Sequence, residues 1–515
     1  MTLRPPSAAP IPRAPAGLAG LAAGAGALGV AELLAGVLPG GASPIVAIGD
    51  AVIALQPPGA KQFVVDLFGE ADKLILNLVV LGVALAAAAG LGLLARHRPG
   101  AARIGFVGFG LLALAAGLRD PLAEPITTLA VMAAAVLVAI GLLSWLLRRA
   151  AAPVAAEMPA WDRRRFLIGT ASVVGAAALG GGVGRLLLER GRLNAVPQVG
   201  AVPEPEATAA PLPDGAALEV EGITPIVTAN EDFYRIDTAL IVPRPNLDTW
   251  RLRVTGMVDA PFELTYDELV ALPLHETYVT IACVSNEVGG GLVGNALWRG
   301  VRLRDLLDRA GVRPEATQIV GRAVDGFTVG FPTAWALSEQ REALVAVAMN
   351  GEPLPVDHGF PARLIVPGLY GYVSATKWLA EIELTTLDAF DAYWVPLGWA
   401  KQAPILTQSR IDVPRDRARV EPGTVAVAGV AWAPDRGISA VEVQVDDGPW
   451  LPAELSSPIS DATWVQFVHR WEAAPGEHTL RVRATDGDGE VQTAERTPPA
   501  PDGARGHHAV RVSVG

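Results

Sequence analysis

A single cysteine lies between an apolar run and a polar, glycine-rich stretch. Residues 281–290 read Ile-Ala-Cys-Val-Ser-Asn-Glu-Val-Gly-Gly, and Cys283 is the one cysteine among 515 residues. A strand ending there would expose a thiolate, and the glycines would let a bulky ligand approach the backbone closely. A thiolate is a soft metal ligand. One cysteine cannot build a zinc or iron–sulfur site, so a metal here must bring most of its ligands with it.

Two stretches further along the chain carry side chains that could hold an anion. Residues 357–363 read Asp-His-Gly-Phe-Pro-Ala-Arg, and residues 371–378 read Gly-Tyr-Val-Ser-Ala-Thr-Lys-Trp. Arginine and lysine are the usual holders of phosphate groups. The candidate anion-binding residues of these stretches are His358, Arg363, Ser374 and Lys377.

The residues alone leave other interpretations of Cys283 open. A lone cysteine is often a small buried apolar residue. A cysteine nucleophile of a hydrolase, assisted by His358 and its neighbour Asp357, is a second alternative. No recognisable nucleophile signature surrounds Cys283, and a hydrolase would leave Arg363 and Lys377 unexplained.

Short helices and strands must position these residues. The patterns of residues 267–271 and 303–310 predict helices, and those of 278–284 and 363–366 predict buried strands. This order indicates an α+β domain over residues 229–395. Residues 396–515 are all-β: alternating segments such as 441–445 and 480–484 and the buried Trp432 predict an immunoglobulin-like sandwich.

The first 190 residues are much more apolar than the rest. The whole chain has 51% hydrophobic and 18% charged residues, and most of the excess of hydrophobic residues lies in this first part. Four segments long enough to cross a membrane, or nearly so, lie within residues 1–150, and a fifth lies within 151–190. The five predicted membrane helices are residues 16–37, 74–94, 104–118, 126–147 and 166–188.

Arginines predict how these helices are oriented in the plasma membrane. They cluster at residues 96–103 and again at residues 148–165, so both loops should be cytoplasmic and everything after residue 190 should face outward. Arg163 and Arg164, followed by Phe166 and Leu167, are typical of a twin-arginine export signal. Residues 191–228, rich in proline and alanine, predict an extended linker.

Charge and histidine content exclude several functions. A net charge of −12 argues against nucleic-acid binding. No histidine lies within the five apolar segments, which excludes a membrane haem held by paired histidines, and we expect no haem elsewhere in the chain. Membrane lipid is an expected partner, and electrons must pass to a separate redox protein or to a quinone.

The region from Asn230 to Lys377 resembles the catalytic domain of the sulfite oxidase-like molybdopterin oxidoreductases. The similarity is carried by Cys283 and by residues 349–355 (Met-Asn-Gly-Glu-Pro-Leu-Pro), 357–361 and 377–379. Residues 394–514 resemble the immunoglobulin-like dimerisation domain that follows in that family, which implies a homodimer.

The resemblance implies a function and a set of site residues. It implies a molybdopterin-dependent oxidoreductase in which Cys283 ligates molybdenum and the metal transfers an oxygen atom. The cofactor would be the mono-pyranopterin form. The cofactor-binding residues it implies are Asn230, Phe233, Tyr234, His358, Arg363, Ser374 and Lys377.

Departures from the family indicate a different substrate. Sulfite oxidases follow the ligand cysteine with Ala-Gly-Asn-Arg-Arg, whereas residues 284–288 here read Val-Ser-Asn-Glu-Val. A substrate-binding arginine and an active-site tyrosine of the family correspond to Leu297 and Val347. Fewer positive charges and the added Glu287 disfavour a dianion, so we expect a neutral or cationic substrate such as a sulfoxide or N-oxide. The alternative is a non-catalytic cell-surface binding protein with a degenerate catalytic domain.

Overall fold

The computed structural model describes residues 11–55, 72–150, 160–194, 202–338 and 340–515. The chain divides into two compact units. Unit 1 comprises Met1–Val196 and Ala239–Ile241, and unit 2 comprises Pro197–Thr238 and Val242–Gly515.

Unit 1 is helical throughout its described part. Five of its helices are long and apolar enough to cross a membrane by length and composition, and they cover the five predicted segments. The short helix α2 was not predicted, because its apolar run is too brief to span a bilayer. The helices are α1 Arg13–Val37, α2 Pro44–Leu55, α3 Asp72–Ala95, α4 Pro99–Gly117, α5 Pro125–Ala150 and α6 Ala160–Asn194.

Small residues let α1 pack closely against its neighbours. A Cβ placed on Gly20 would lie 2.2 Å from the carbonyl oxygen of Ala88 in α3, and one on Gly36 would lie 2.2 Å from that of Gly184 in α6. Glycine at these positions therefore permits backbone contact between helices.

Two mainly antiparallel sheets form the first part of unit 2. The first has the order β2-β1-β10-β5-β6, in which only the β1–β10 pair is parallel. The second has the order β3-β4-β7-β8, with β9 also paired to β7. The strands are β1 Leu252–Gly256, β2 Phe262–Leu264, β3 His275–Ala282, β4 Val293–Arg302, β5 Gln318–Ala323, β6 Thr328–Pro332, β7 Leu344–Met349, β8 Glu352–Pro353, β9 Arg363–Ile365 and β10 Leu379–Thr385.

Short helices connect these strands, so the fold of this region is β-rich α+β. Two of them, α7 and α8, lie where the sequence predicted helices. A capping box at Thr265 and Glu268 begins α7. The helices are α7 Tyr266–Val270, α8 Leu303–Ala310, α9 Thr333–Ala336 and α10 Gly371–Ser374, with a 3-10 turn at Val356–His358.

A β-sandwich forms the rest of unit 2. One sheet has the order β11-β13-β17-β16 and the other β12-β19-β18-β14-β15. Their facing sides bury residues such as Val427, Phe467, Val443 and Val482. The strands are β11 Gln408–Val413, β12 Ala418–Val420, β13 Gly423–Trp432, β14 Ile438–Val445, β15 Trp450–Pro452, β16 Glu454–Leu455, β17 Val465–Ala473, β18 Gly476–Asp486 and β19 His508–Val514.

Trp432 is buried, as predicted, but not in the core of the sandwich. Together with Trp464 it belongs to the core that is continuous with the two preceding sheets. The sandwich is therefore joined to the first part of unit 2 through apolar contact. Its immunoglobulin-like character stays a prediction, as do the domain boundaries.

The predicted linker differs from expectation in its described part, residues 202–228. Its backbone pairs with later parts of unit 2: Glu206 N–H donates to the Leu274 carbonyl at 2.8 Å, and Trp464 Nε1–H donates to the Ile226 carbonyl at 2.8 Å. Val202 and Ile226 are buried. An extended proline-rich chain leaves its own backbone groups unpaired, and here they find partners in the folded unit. Residues 195–201 lie outside the described residues.

Candidate active site

Cys283 lies at the start of the loop that joins β3 to β4. The two strands pair in register from His275↔Gly300 to Ala282↔Val293, so the loop begins at Cys283 and ends at Leu292. The Cys283 N–H donates to the Leu292 carbonyl at 2.9 Å and closes the base of the loop. The cysteine is 8% exposed.

A cleft that is partly open to solvent adjoins Cys283. It brings together four predicted site residues from separate parts of unit 2. The predicted residues that line it are Tyr234, Cys283, Arg363 and Lys377.

Lys377 is buried in one wall of the cleft beside an acidic partner. Its Nζ donates to Asp237 Oδ1 at 2.6 Å and to the Asp357 carbonyl at 2.8 Å. Burial lowers the pKa of Lys377 to about 8, against the opposing effect of Asp237. The wall therefore holds a cation that is readily deprotonated.

Arg363 is buried beside it with its hydrogen-bonding capacity only partly used. Its Nη1 donates to the His358 carbonyl at 3.1 Å, and its guanidinium lies 5.2 Å from the Trp298 ring centroid. Its Nε is buried and has no hydrogen-bond partner within the described chain. Burial lowers the pKa of Arg363, and burial raises that of Tyr234.

His358, Asn230 and Phe233 stand behind the cleft wall and are not among the residues lining it. The His358 Nε2 lies 2.8 Å from the Asn230 carbonyl, and its buried Nδ1 has no partner among the residues described. Burial and nearby cations lower the pKa of His358 to about 4. The Phe233 ring packs against Tyr234 and His358, with centroids 5.3 and 5.7 Å apart.

Ser374 faces inward and is not among the residues that line the cleft. It is fully buried, and its Oγ donates to the Leu369 and Tyr370 carbonyls at 3.2 and 3.0 Å. The hydroxyl is therefore occupied at the end of the short helix α10. Its neighbour Ala375 lines the cleft instead.

Several cleft residues were not predicted from the sequence. Two are acidic, Asp237 and Asp325, and four are aromatic. Asp325 and Phe327 come from the turn between β5 and β6, and Trp394 comes from the segment after β10, so no local motif marks these three. The aromatic lining residues that were missed are Phe327, Tyr372, Trp378 and Trp394.

Comparison with known proteins identifies the family of this chain. The family model "Oxidoreductase molybdopterin binding domain" matches residues 239–394. The uncharacterized oxidoreductase YuiH of Bacillus subtilis is 39% identical over 177 residues, which are 34% of this chain and 85% of YuiH. The chain belongs to the sulfite oxidase-like molybdopterin oxidoreductases.

Other family members match over a smaller share of their length. Mitochondrial sulfite oxidase of Rattus norvegicus is 33% identical over 273 residues, 44% of this chain and 49% of that protein. The chain thus spans about half the length of this sulfite oxidase. The sulfane dehydrogenase SoxCD of Paracoccus pantotrophus has a TM-score of 0.44 and 25% identity, covering 49% of this chain and 71% of that chain.

The residues of the cleft fit a sulfite oxidase-like cofactor. A soft sulfur ligand and two buried cations lie on one cavity, and two buried nitrogens beside it, Arg363 Nε and His358 Nδ1, lack partners within the described chain. Such donors suit the dithiolene-bound metal and the phosphate of molybdopterin. The hydrolase interpretation of Cys283 loses its support, because family membership accounts for Arg363 and Lys377.

The positions that depart from sulfite oxidases do not line the cleft. Val347 is fully buried in β7, Leu297 is half-buried in β4, and Glu287 is exposed in the loop after Cys283. Charge within the cleft is balanced, because Arg363 and Lys377 are accompanied by Asp237 and Asp325.

Proposed function

We propose that this chain is a membrane-anchored, extracytoplasmic molybdopterin oxidoreductase with Cys283 as the protein ligand to molybdenum. The observation that carries the proposal is one cleft lined by the Cys283 sulfur, the Arg363 guanidinium and the Lys377 ammonium. When bound, molybdopterin supplies two-electron redox chemistry with transfer of an oxygen atom.

Each residue has a definite task in this proposal. Arg363 and Lys377 would hold the phosphate end of a mono-pyranopterin cofactor, since both are buried cations. Asp237 keeps the Lys377 ammonium in place through its 2.6 Å contact. His358, with its lowered pKa, would stay neutral at physiological pH beside the two cations.

The substrate in this proposal is neutral or cationic. With both cations engaged by the cofactor, Asp325 and the aromatic residues would remain for the substrate. Aromatic faces accept apolar or cationic groups, whereas a dianion such as sulfite needs several positive donors. A sulfoxide or N-oxide fits these requirements.

Steady-state kinetics of purified full-length protein tests this choice. With a viologen donor we expect saturable reduction of sulfoxides or N-oxides, and with a ferricyanide acceptor we expect slow sulfite oxidation that does not saturate. Tight, saturable sulfite oxidation would contradict the proposed substrate class while leaving the molybdenum assignment intact.

The proposed location of the protein rests on its apolar helices. Five helices of spanning length and composition precede unit 2, and arginines gather near residues 96–103 and 148–165. These arginines would lie on the cytoplasmic side, so unit 2 would face outward. Electrons would pass to a separate redox protein or a membrane quinone, and the sandwich would support a homodimer.

A further inference from the structure

Hydrogen bonds within the loop that begins with Cys283 hold its base and the region near its tip. We name residues Cys283–Leu292 the ligand loop. At its base Cys283 N–H donates to the Leu292 carbonyl, and Leu292 N–H donates to Asn286 Oδ1 at 2.8 Å. Nearer its tip Gly290 N–H donates to the Glu287 carbonyl at 2.8 Å. These contacts lie within the loop and leave the Gly290 carbonyl available.

An arginine of the sandwich donates a hydrogen bond to that carbonyl. Arg410 of β11 donates from Nη1 to the Gly290 carbonyl at 2.9 Å. The same guanidinium donates from Nε to Asp412 Oδ1 at 2.7 Å and from Nη2 to Thr224 Oγ1 at 2.8 Å. Its side chain is 12% exposed. Three partners fix the guanidinium, so the contact to Gly290 is pre-organised.

A histidine of the sandwich fills the space beside the loop tip. Gly289 has φ +81°, and a Cβ there would lie 2.1 Å from His508 Cδ2. The ring is held in turn by the Ile411 N–H, which donates to His508 Nδ1 at 3.0 Å. Position 289 therefore requires glycine, because its backbone is left-handed and a side chain there would clash with the His508 ring.

The strand leading into Cys283 is also tied to the sandwich. Thr280, three residues before the cysteine, donates from its N–H to the Ala462 carbonyl at 2.9 Å. Its Oγ1 accepts from the Trp464 N–H at 2.8 Å. The sandwich therefore contacts the chain on both sides of Cys283, although it supplies no residue to the cleft.

We infer that Arg410 and His508 are positioning residues that set the place of the Cys283 sulfur through the Gly289–Gly290 tip of the ligand loop. The C-terminal sandwich then acts indirectly, as the rigid support of the loop that carries the proposed metal ligand. The ligand role of Cys283 rests on the proposed function, whereas the positioning of the thiol can be measured without the metal.

Alkylation of the thiol tests this inference, because the chain has a single cysteine. Full-length protein would be purified without cofactor and treated with iodoacetamide, and modification of Cys283 would be followed by mass spectrometry. Arg410→Gln should raise the alkylation rate roughly tenfold, because losing a charge-assisted hydrogen bond shifts local opening by about that factor. Arg410→Lys, which keeps the charge, should show a smaller rise.

Arg483→Gln is the matched control. Arg483 also pairs with a carboxylate in the sandwich, with its Nε 2.8 Å from Glu442 Oε2. Its guanidinium lies over the Trp450 ring rather than against the ligand loop. It should leave the alkylation rate at the wild-type value. His508→Ala removes the ring beside Gly289 and also the acceptor of the Ile411 N–H. It is the second variant should Arg410→Gln fail to fold, and it should also accelerate alkylation.

Two results separate this inference from the proposed function. Wild-type alkylation rates in Arg410→Gln and His508→Ala, with an unchanged electron paramagnetic resonance signal of the loaded enzyme, would overturn the positioning role. Faster alkylation together with a molybdenum signal that Cys283→Ser does not alter would keep the positioning role and reject Cys283 as the ligand.

Discussion

At the cleft, two buried cations, Lys377 and Arg363, lie near a buried histidine, His358, that stays neutral. Lys377 and Arg363 are each less than one tenth exposed, and His358 is 3% exposed. The two cations help to lower the pKa of His358, while Asp237 opposes the loss of charge from Lys377. A neutral imidazole beside two cations can donate or accept one hydrogen bond without adding charge.

This arrangement predicts an acid-dependent loss of stability. The pKa of His358 is about 4 in the folded chain, against 6.5 for an ordinary histidine. The unfolded chain therefore binds more protons between these values, and stability falls as the pH drops from about 6.5 towards 4. In His358→Gln the melting temperature of cofactor-free protein should fall less over that interval than in wild type.

His478 provides a control of opposite sign. Its hydrogen bond to Asp446 raises its pKa, so it adds stability below about pH 6.5 that is lost as the pH rises. His478→Gln should therefore lower the melting temperature throughout the interval from pH 6.5 to pH 4 and leave its slope close to that of wild type. Parallel melting curves for wild type and His358→Gln between pH 6.5 and pH 4 would contradict the description of His358.

At the scale of elements, the β3–β4 hairpin links Cys283 to the core. Trp298 of β4 is fully buried, its ring centroid lies 5.8 Å from that of Phe233, and its Nε1–H donates to the Val279 carbonyl at 3.3 Å. The same ring faces Arg363. The Trp298 side chain thus contacts the β3–β4 hairpin, the segment that contains Phe233, and the Arg363 guanidinium at the cleft.

Trp298→Ala should therefore destabilise unit 2 strongly. Removing a buried tryptophan costs about 3–5 kcal/mol of unfolding free energy. Trp450→Ala is the control, because Trp450 is half-buried at the sandwich surface under Arg483. Denaturant unfolding followed by circular dichroism measures both variants. Equal losses in the two would contradict the bracing role of Trp298.

Local pattern was enough to predict most elements but not the full lining of the cleft. Helices α7 and α8 and the strands around residues 278–284 and 363–366 follow from short-range periodicity. Phe327 and Trp394 reach the cleft through pairing between distant strands, which periodicity does not encode. The inward orientation of Ser374 depends on hydrogen bonds at a four-residue helix. The packing of residues 202–228 depends on hydrogen bonds to residues far along the chain.

At the scale of the whole molecule, the export route is the most accessible question. Arg163 and Arg164 precede Phe166 in α6, although the side chain of Arg163 lies outside the described residues. Replacing both arginines by lysine keeps the charge but removes the twin-arginine signal. Unit 2 should then become resistant to protease added to intact spheroplasts.

Arg148 and Arg149 at the end of α5 give the matched control. Their replacement by lysine leaves the positive charge and the signal intact, so unit 2 should stay protease-accessible. Unit 2 that remains accessible after replacement of Arg163 and Arg164 would contradict twin-arginine export.

The central claim is that Cys283 holds molybdenum in the cleft. The most direct test is elemental analysis of full-length protein from a host that makes the cofactor, together with the Cys283→Ser variant. We predict about one molybdenum per chain in wild type and an altered molybdenum resonance signal with lost activity in the variant. Wild-type protein without molybdenum would contradict the account and favour a non-catalytic binding protein.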